Sequence, residues 1–141
     1  MDVVVDSNIL FSYFWKNSIT KKIIDLDIFN LYSPDFALTE INKYKSDIIK
    51  KTKISSSEFN LVLDELKSKI KFVSVLKYFS EFKKIDLNKK PDVNDVDFFA
   101  CSLYLNAVIW SNDVILKNQS LCVVFNTKDI LEIIKKISYV F

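Results

Sequence analysis

Residues 1–10 read MDVVVDSNIL, an apolar run that ends on a single carboxylate, Asp6. Three consecutive valines without polar alternation are typical of a strand buried on both faces, as in a parallel sheet. The polar pair Ser7-Asn8 follows, and the apolar spacing of a helix begins after it. The stretch therefore predicts a buried strand over 2–6 that presents Asp6 at its carboxyl end.

The rest of the chain continues this alternation of apolar strands and helices. Further strands are predicted over 30–33, 71–75, 107–110 and 121–126. Helices are predicted over 7–16, 20–28, 34–45, 55–70, 95–105 and 127–141, with a short one within 76–91. Strands alternating with helices predict a three-layer α/β/α sandwich with a central, mostly parallel sheet of four to five strands. No linker or repeat divides the chain, so residues 1–141 form a single predicted domain.

Three helix starts carry specific signals. Ser33-Pro34 predicts a helix with Ser33 as N-cap and Pro34 at its first position. Ser55 precedes Glu58 by three residues, the spacing of a capping box. Thr127 is the predicted cap of the last helix.

Composition excludes several kinds of function. The chain has no histidine, which removes Ser-His and Cys-His catalytic sites and histidine-based zinc sites. It has no glycine either, so the usual glycine-rich phosphate loops are excluded. The 20 basic residues, all lysine, against 18 acids give a net charge of only +2. Catalysis would therefore depend on carboxylates, lysines, hydroxyls or an oxygen-bound metal.

The two cysteines and the apolar segments indicate in which cellular compartment the protein is expected. Cys101 and Cys122 lie in apolar runs without CxxC spacing, and we expect both to pack as free thiols in the core. The sequence shows no signal peptide and no apolar run long enough to span a membrane. These features predict a protein of the reducing cytoplasm.

Acids recur where ligands bind in parallel sheets, beyond the carboxyl ends of the strands. VVVDSN and VIWSND are built alike, and they place Asp6 and Asp113 at the same edge. Glu40, in the helix after the second strand, and Asp95, at the start of the helix before VIWSND, can reach that edge too. Such a cluster of like charges needs cations to offset it, and oxygen ligands alone favour Mg²⁺ or Mn²⁺.

Each strand-end acid also has a purely structural interpretation. Asp6 would serve as N-cap of the helix that follows it. Asp113 would cap the short helix 114–118, and Ser111 would satisfy a nearby backbone group. The joint placement of four acids around one edge favours a functional site over four separate caps.

The two helical acids have alternatives of the same kind. Glu40 would pair with Lys43 on a solvated helix face. Asp95 would cap its own helix or favour its dipole. Three neighbours compete with Asp95 for that role: Asp92, Asn94 and Asp97.

Four motifs in order make the whole chain resemble the PIN-domain family of metal-dependent nucleases, which includes VapC-type toxins. VVVDSN resembles the family's first motif, which implies that Asp6 is a metal ligand and that Ser7 and Asn8 organise the turn. SPDFALTEI resembles the second and points to Glu40. Each motif alone is weak, and their order along the chain gives the resemblance its specificity.

The third and fourth motifs lie close together in DVDFFACSLYLNAVIWSND. The resemblance implies Asp95 as the third ligand, with Asp97 as its rival. It also matches Ser111 and Asp113 to the hydroxyl residue and the aspartate that end the fourth strand of the family.

Two positions depart from the family pattern. Asn106 stands where many relatives have glycine, a mild change because asparagine tolerates the left-handed region. Asn112 stands where many have a basic residue, and the chain has no arginine. We therefore expect lysines to bind the substrate backbone without sequence preference. The candidates are Lys16, Lys43, Lys89, Lys90 and Lys117.

The resemblance implies hydrolysis of RNA phosphodiester bonds with one or two Mg²⁺ or Mn²⁺ ions, leaving a 5′-phosphate and a 3′-hydroxyl. Single-stranded RNA is the expected substrate, because a compact acidic pocket reaches a regular duplex poorly. The resemblance also implies a homodimer and, if the protein is a toxin, an antitoxin partner. A catalytically idle PIN-like module that binds RNA or protein is the alternative. A phosphoacceptor receiver domain is a further one, although Asp6 on the first strand fits it less well.

Overall fold

The centre of the molecule is a parallel sheet that places the first strand in its middle. The computed structural model describes residues 1–85 and 95–140, with side chains up to residue 138. Within these ranges the sheet has five strands in the order β3-β2-β1-β4-β5, and every pairing is parallel. The strands are β1 (Asp2–Val5), β2 (Asn30–Pro34), β3 (Ile70–Val73), β4 (Val108–Trp110) and β5 (Val124–Phe125).

Helices flank this sheet and complete the three predicted layers. They are α1 (Ser7–Ser12), α2 (Ile19–Asp25), α3 (Asp35–Lys43), α4 (Lys45–Thr52), α5 (Ser56–Lys69), α6 (Val75–Tyr78), a 3₁₀ helix (Phe79–Lys84), α7 (Val96–Leu105), α8 (Val114–Lys117) and α9 (Thr127–Val140). Val3, Val4 and Val5 are all 0% exposed, and successive strand residues point to opposite faces. Both faces of β1 are therefore covered, which confirms the predicted fold class.

The start of α3 differs from the prediction. Ser33 is not the N-cap: it belongs to β2, where it is fully buried and its hydroxyl donates to the carbonyl oxygen of Val5 at 2.8 Å. Pro34 takes the N-cap position with an extended backbone, and the helix begins at Asp35. The prediction was wrong because sheet pairing of Pro34 with Val73 extends the strand through the proline.

The start of α9 differs as well. Asn126, rather than Thr127, caps this helix, since its side-chain oxygen accepts from the backbone N–H of Asp129 at 2.9 Å. The Asp129 carboxylate in turn accepts from the backbone N–H of Asn126 at 3.0 Å. The Thr127 hydroxyl instead accepts from the indole N–H of Trp110 at 3.1 Å. A tertiary contact thus occupies the side chain that the sequence pattern assigned to capping.

Other boundaries moved by a few residues or proved correct. The helix predicted over 7–16 ends at Ser12, and the strand predicted over 121–126 is reduced to Val124–Phe125. The helix α4 was not predicted as a separate element. The capping box of Ser55 and Glu58 is confirmed, with both of its hydrogen bonds present. In the described part of the chain, no helix combines the length and apolarity needed to cross a membrane.

Candidate active site at the carboxyl ends of the central strands

Asp6 follows β1 and is buried, with a relative exposure of 6%. Its backbone occupies the N-cap position of α1 (φ −66°, ψ 150°), but its side chain makes no capping hydrogen bond. Its Oδ2 instead accepts from the hydroxyl of Ser111 at 2.7 Å. The side chain of Asp6 is therefore not the hydrogen-bonded N-cap of the structural interpretation, and its role as a metal ligand stays a prediction.

The electrostatic environment of Asp6 disfavours its charge. Burial raises the pKa of this carboxyl group and outweighs the hydrogen bond from Ser111 and the nearby backbone amides of Ser7 and Asn8, which lower it. The negative charge of Asp113 raises the pKa further. A desolvated carboxylate beside a second acid is an arrangement found preferentially at functional sites.

Ser111 connects the two strand-end acids. Its backbone N–H donates to Phe125 of β5 at 2.9 Å, and its side chain is 1% exposed, so the residue is held firmly. The same hydroxyl that donates to Asp6 accepts from the backbone N–H of Asp113 at 3.1 Å. Asp113 is exposed and caps α8, accepting from the backbone N–H of Ile115 at 2.9 Å. The capping alternative is thus confirmed for Asp113.

Glu40 reaches the site through the residue next to Asp6. The hydroxyl of Ser7 donates to Oε1 of Glu40 at 2.6 Å, across 33 residues of sequence. Ser7 is 4% exposed, and Glu40 is half-buried on α3. No ion pair between Glu40 and Lys43 occurs among the described residues, so that alternative is not the one adopted.

Asp95 and Asp97 have different surroundings at the start of α7. Asp95 is half-buried at the N-cap position, and its side chain makes no capping hydrogen bond. Asp97 accepts from the hydroxyl of Tyr78 at 2.5 Å. Burial and then the charge of Asp97 raise the pKa of the Cys101 thiol to about 12. Asp97 is therefore engaged with the core side of α7, and the choice of Asp95 over Asp97 as a ligand stays a prediction.

The candidate ligands are of the type that binds a hard divalent cation, but the described side chains are not close enough together to hold one. All the candidate ligands are oxygens, which Mg²⁺ and Mn²⁺ prefer. Among residues 1–85 and 95–138, however, no group of three or more acids, cysteines or histidines is close enough to hold an ion. The structure connects Asp6 to Asp113 through Ser111, and Glu40 to Ser7, without a closed ligand set.

The lysines predicted to bind substrate have protein partners. The ammonium of Lys16 lies 3.6 Å from Glu58, and that of Lys117 pairs with Asp129. The ammonium of Lys43 lies 5.4 Å from the ring centroid of Tyr44. Four predicted residues lie outside the described ones, namely Lys89, Lys90, Asp92 and Asn94.

A groove beside Glu40 was not predicted. It has a volume of about 400 Å³ and is bounded by α1, α3 and α4. Trp15 and Tyr44 line it, and neither was among the residues that the sequence pointed to as candidates for the site. Trp15 lies beyond the end of α1, and Tyr44 separates α3 from α4. The sequence analysis did not predict the break between α3 and α4. Without that break, nothing in the sequence distinguishes Tyr44 from other aromatic residues on a helix.

The sequence and the fold each resemble known proteins. The PIN domain, as a sequence family, matches residues 4–130, most of the chain. A crystal structure of VapBC2 from Rickettsia felis bound to a DNA fragment from their promoter has the same fold, with a TM-score of 0.64 and 16% sequence identity. The similarity covers 89% of this chain and 98% of that chain. Among curated proteins, no sequence matches this one. The family match over most of the chain shows that this protein belongs to the PIN-domain family.

Proposed function

We propose that this protein is a metal-dependent ribonuclease that hydrolyses phosphodiester bonds at the Asp6 edge of the sheet. Members of the PIN-domain family are in general divalent-metal-dependent nucleases. One observation carries the proposal: Asp6 is buried, has a raised pKa, and is joined through one serine hydroxyl to a second acid. Burying the charged carboxylate of Asp6 lowers the stability of the folded protein, and a functional role would explain why the residue is there.

The residues of the site have distinct roles in this proposal. Asp6, Glu40, Asp95 and Asp113 would hold Mg²⁺ or Mn²⁺. Such an ion, when bound, lowers the pKa of water and offsets negative charge on the phosphate. Ser111 orients the Asp6 carboxylate, and Ser7 orients Glu40.

The partners follow from the same family relationship. VapBC2 names a two-component assembly that was crystallised with promoter DNA. By analogy, we propose that the present chain is a VapC-like toxin of the cytoplasm. Its proposed protein partners are an antitoxin and a second copy of itself. Single-stranded RNA is its substrate in this proposal, bound at the phosphates by lysines.

A second function has one observation in its favour. The described carboxylates do not form a three-ligand group, which is what a catalytically idle PIN-like binding module would also show. That module would keep the fold and bind RNA or protein without cleaving it. Metal binding separates the two functions.

The test combines cleavage with metal binding. Labelled RNA is incubated with Mn²⁺, Mg²⁺ or EDTA and with wild type, Asp6→Asn or Asp64→Asn, the last being a control because Asp64 is exposed on α5. Mn²⁺ binding is measured by calorimetry on the same three proteins. We expect metal-dependent cleavage and Mn²⁺ binding in wild type and Asp64→Asn, and loss of both in Asp6→Asn. Cleavage that survives EDTA, or a folded wild type that binds no Mn²⁺, would contradict the proposal.

A further inference from the structure

The groove beside Glu40, here called the aromatic groove, is continuous with the acidic site. Its wall is formed by Asn8, Phe11, Trp15, Glu40, Tyr44, Asp47, Ile48 and Lys51. Asn8 and Glu40 belong both to this wall and to the immediate surroundings of Asp6 and Ser7. Its volume of about 400 Å³ lies within the range of roughly 300–1,000 Å³ that is usual for small-ligand sites. A substrate held at the acids would therefore extend into this groove.

Two aromatic rings are exposed in the aromatic groove. Trp15 is 40% exposed and Tyr44 is 39% exposed, whereas the other tryptophan, Trp110, is 0% exposed. The ring of Phe11 meets that of Tyr44 edge to face, with centroids 6.0 Å apart and planes at 77°. Phe11 thus supports the tyrosine ring from the side. Large flat rings left open at a groove are suited to stacking against another flat group.

Charged groups surround these rings. Lys51 and Asp47 lie one helical turn apart on α4, and both are exposed. Within residues 1–85 and 95–138, neither forms an ion pair. Lys43 adds a cation near the ring of Tyr44. The groove therefore offers flat apolar surfaces, cations for phosphate and a carboxylate that can accept hydrogen bonds.

We infer that the aromatic groove binds an unpaired nucleobase of the RNA next to the bond that is cleaved. This inference rests on the proposed ribonuclease function and deepens it. Single-stranded nucleic acid is commonly held by a cationic surface together with aromatic rings on which bases stack. Trp15 and Tyr44 stack the base, and Lys51 contacts an adjoining phosphate. Asp47 accepts a hydrogen bond from an amino group of the base.

The occupant is a base rather than an apolar protein segment because of the charges on the wall. Asp47 and Lys51 line the groove together with the rings, and an apolar segment that covered them would leave these two charged groups without partners. A base has a flat face for the rings and a polar edge for the charged groups. Bases in a duplex are already stacked and paired, so only single-stranded RNA can supply one.

Tryptophan fluorescence can test this inference independently of cleavage. Wild type in EDTA, which we expect to bind RNA without cleaving it, is titrated with an eight-nucleotide single-stranded RNA or with the same sequence as a duplex. Trp15 reports on the groove, because Trp110 is fully buried and inaccessible to a base. We expect quenching by the single strand and little by the duplex. RNA that binds without quenching Trp15, or RNA that fails to bind, overturns the inference and leaves the groove to a protein partner.

Substitutions in the groove provide the second measurement. Trp15→Ala or Tyr44→Ala should each weaken single-strand binding by about 5- to 150-fold, the usual range for one base-stacking residue. Tyr104→Ala is the matched control, because Tyr104 is similarly exposed, at 44%, and lines a different cavity. Equal affinity in all three variants would overturn the inference.

The inference and the proposed function can fail separately. If the wild type cleaves RNA and Trp15→Ala cleaves it with unchanged KM, the nuclease stands and the base site is overturned. If no RNA is cleaved but single-stranded RNA still quenches Trp15, the base site is upheld and the protein is a binding module.

Discussion

Asp6 and Asp113 end the two most similar motifs of the chain, and the fold uses them differently. Asp6 is 6% exposed, leaves its helix uncapped and has a raised pKa. Asp113 is exposed, and one of its carboxylate oxygens caps α8. One serine hydroxyl contacts both residues. Similar sequence around an acid therefore predicts its edge of the sheet, but not its degree of desolvation.

Strand order explains the difference. β1 lies between β2 and β4, so the residue that follows it is enclosed on both sides. β4 is followed in the sheet only by β5, a two-residue edge strand within the described chain. Residues after β4 are therefore closer to solvent. The central position buries Asp6, whereas the neighbouring position leaves Asp113 exposed to solvent.

The largest expected effect is on cleavage by Asp6→Asn. We expect a loss of at least about a hundredfold in kcat/KM, because even residues that only orient metal ligands typically cost 10–100-fold. Asp113→Asn should lose only about tenfold, since Asn caps α8 as well as Asp does and Asp113 is not enclosed. Initial rates on one RNA substrate measure both variants. Equal losses would show that burial does not separate the two acids in function.

The next effect concerns the hydroxyl that joins them. Ser111→Ala removes a donor to buried Asp6 and an acceptor for Asp113, so we expect a loss of about 1–3 kcal/mol in the free energy of unfolding. Ser33→Ala is the control, because Ser33 is equally buried but donates to the backbone of Val5. Urea unfolding measures both variants. Cleavage should fall only in Ser111→Ala, and a matching fall in Ser33→Ala would refute the positioning role of Ser111.

A smaller effect is the contribution of Asp6 to the pH dependence of the free energy of unfolding, measured without metal. The pKa of Asp6 in the folded protein lies above its ordinary value of 3.8, so the folded state binds more protons between those two values. The free energy of unfolding therefore falls as pH rises through that window. Asp6→Asn removes this dependence and should raise the Tm at pH 7 in EDTA.

The measured quantity is the difference in Tm between Asp6→Asn and wild type, followed as a function of pH. Other acids contribute to both curves alike: the pKa of Asp25, for example, is raised by burial but lowered overall by hydrogen bonds from Lys21 and Tyr13. We expect the advantage of Asp6→Asn to vanish as pH falls to about 4. A variant that is less stable than wild type at pH 7 would contradict the raised pKa.

The smallest expected effect concerns Lys117, which is near the Asp113 side of the site. Its exposed ion pair with Asp129 should contribute less than about 1 kcal/mol, so Lys117→Ala should scarcely change the Tm. If Lys117 contacts one phosphate, the slope of log affinity against log salt should become shallower by about 0.7. Lys135→Ala, at an exposed lysine on α9, is the control. Identical slopes in wild type and Lys117→Ala would exclude the contact.

Much of the fold could be predicted because the strands are unusually uniform. The valines before Asp6 and the apolar run before Ser111 predicted strands of a parallel sheet, and the structure confirms both. The starts of α3 and α9 were mispredicted where side chains of good capping residues found tertiary partners instead. Ser33 contacts the backbone of β1, and Thr127 contacts the indole of Trp110. Capping preference is a local property, and such contacts cannot be read from local sequence.

The sequence indicated which acids follow strands, but not how their side chains are connected. Asp6, Asp113 and Glu40 each follow a predicted strand, and the structure shows that these three strands are neighbours in the sheet. The hydrogen bonds that join them through Ser111 and Ser7 depend on side-chain direction, and these appear only in the structure. Trp15 and Tyr44 escaped prediction because aromatic residues in a chain rich in them are first assigned to the core.

The central position of β1 has a consequence for the timing of synthesis. Asp6 and the serine that hydrogen-bonds it are separated by 105 positions in the chain. At roughly 5–20 residues per second, a ribosome needs about 5 to 20 s to reach the second after making the first. During that interval the nascent chain has its first strand but neither β4 beside it nor a donor for its carboxylate. The hydrogen bond to Asp6 can therefore form only after Ser111 has been synthesised, so a nascent chain that stops before Ser111 cannot contain the acidic site.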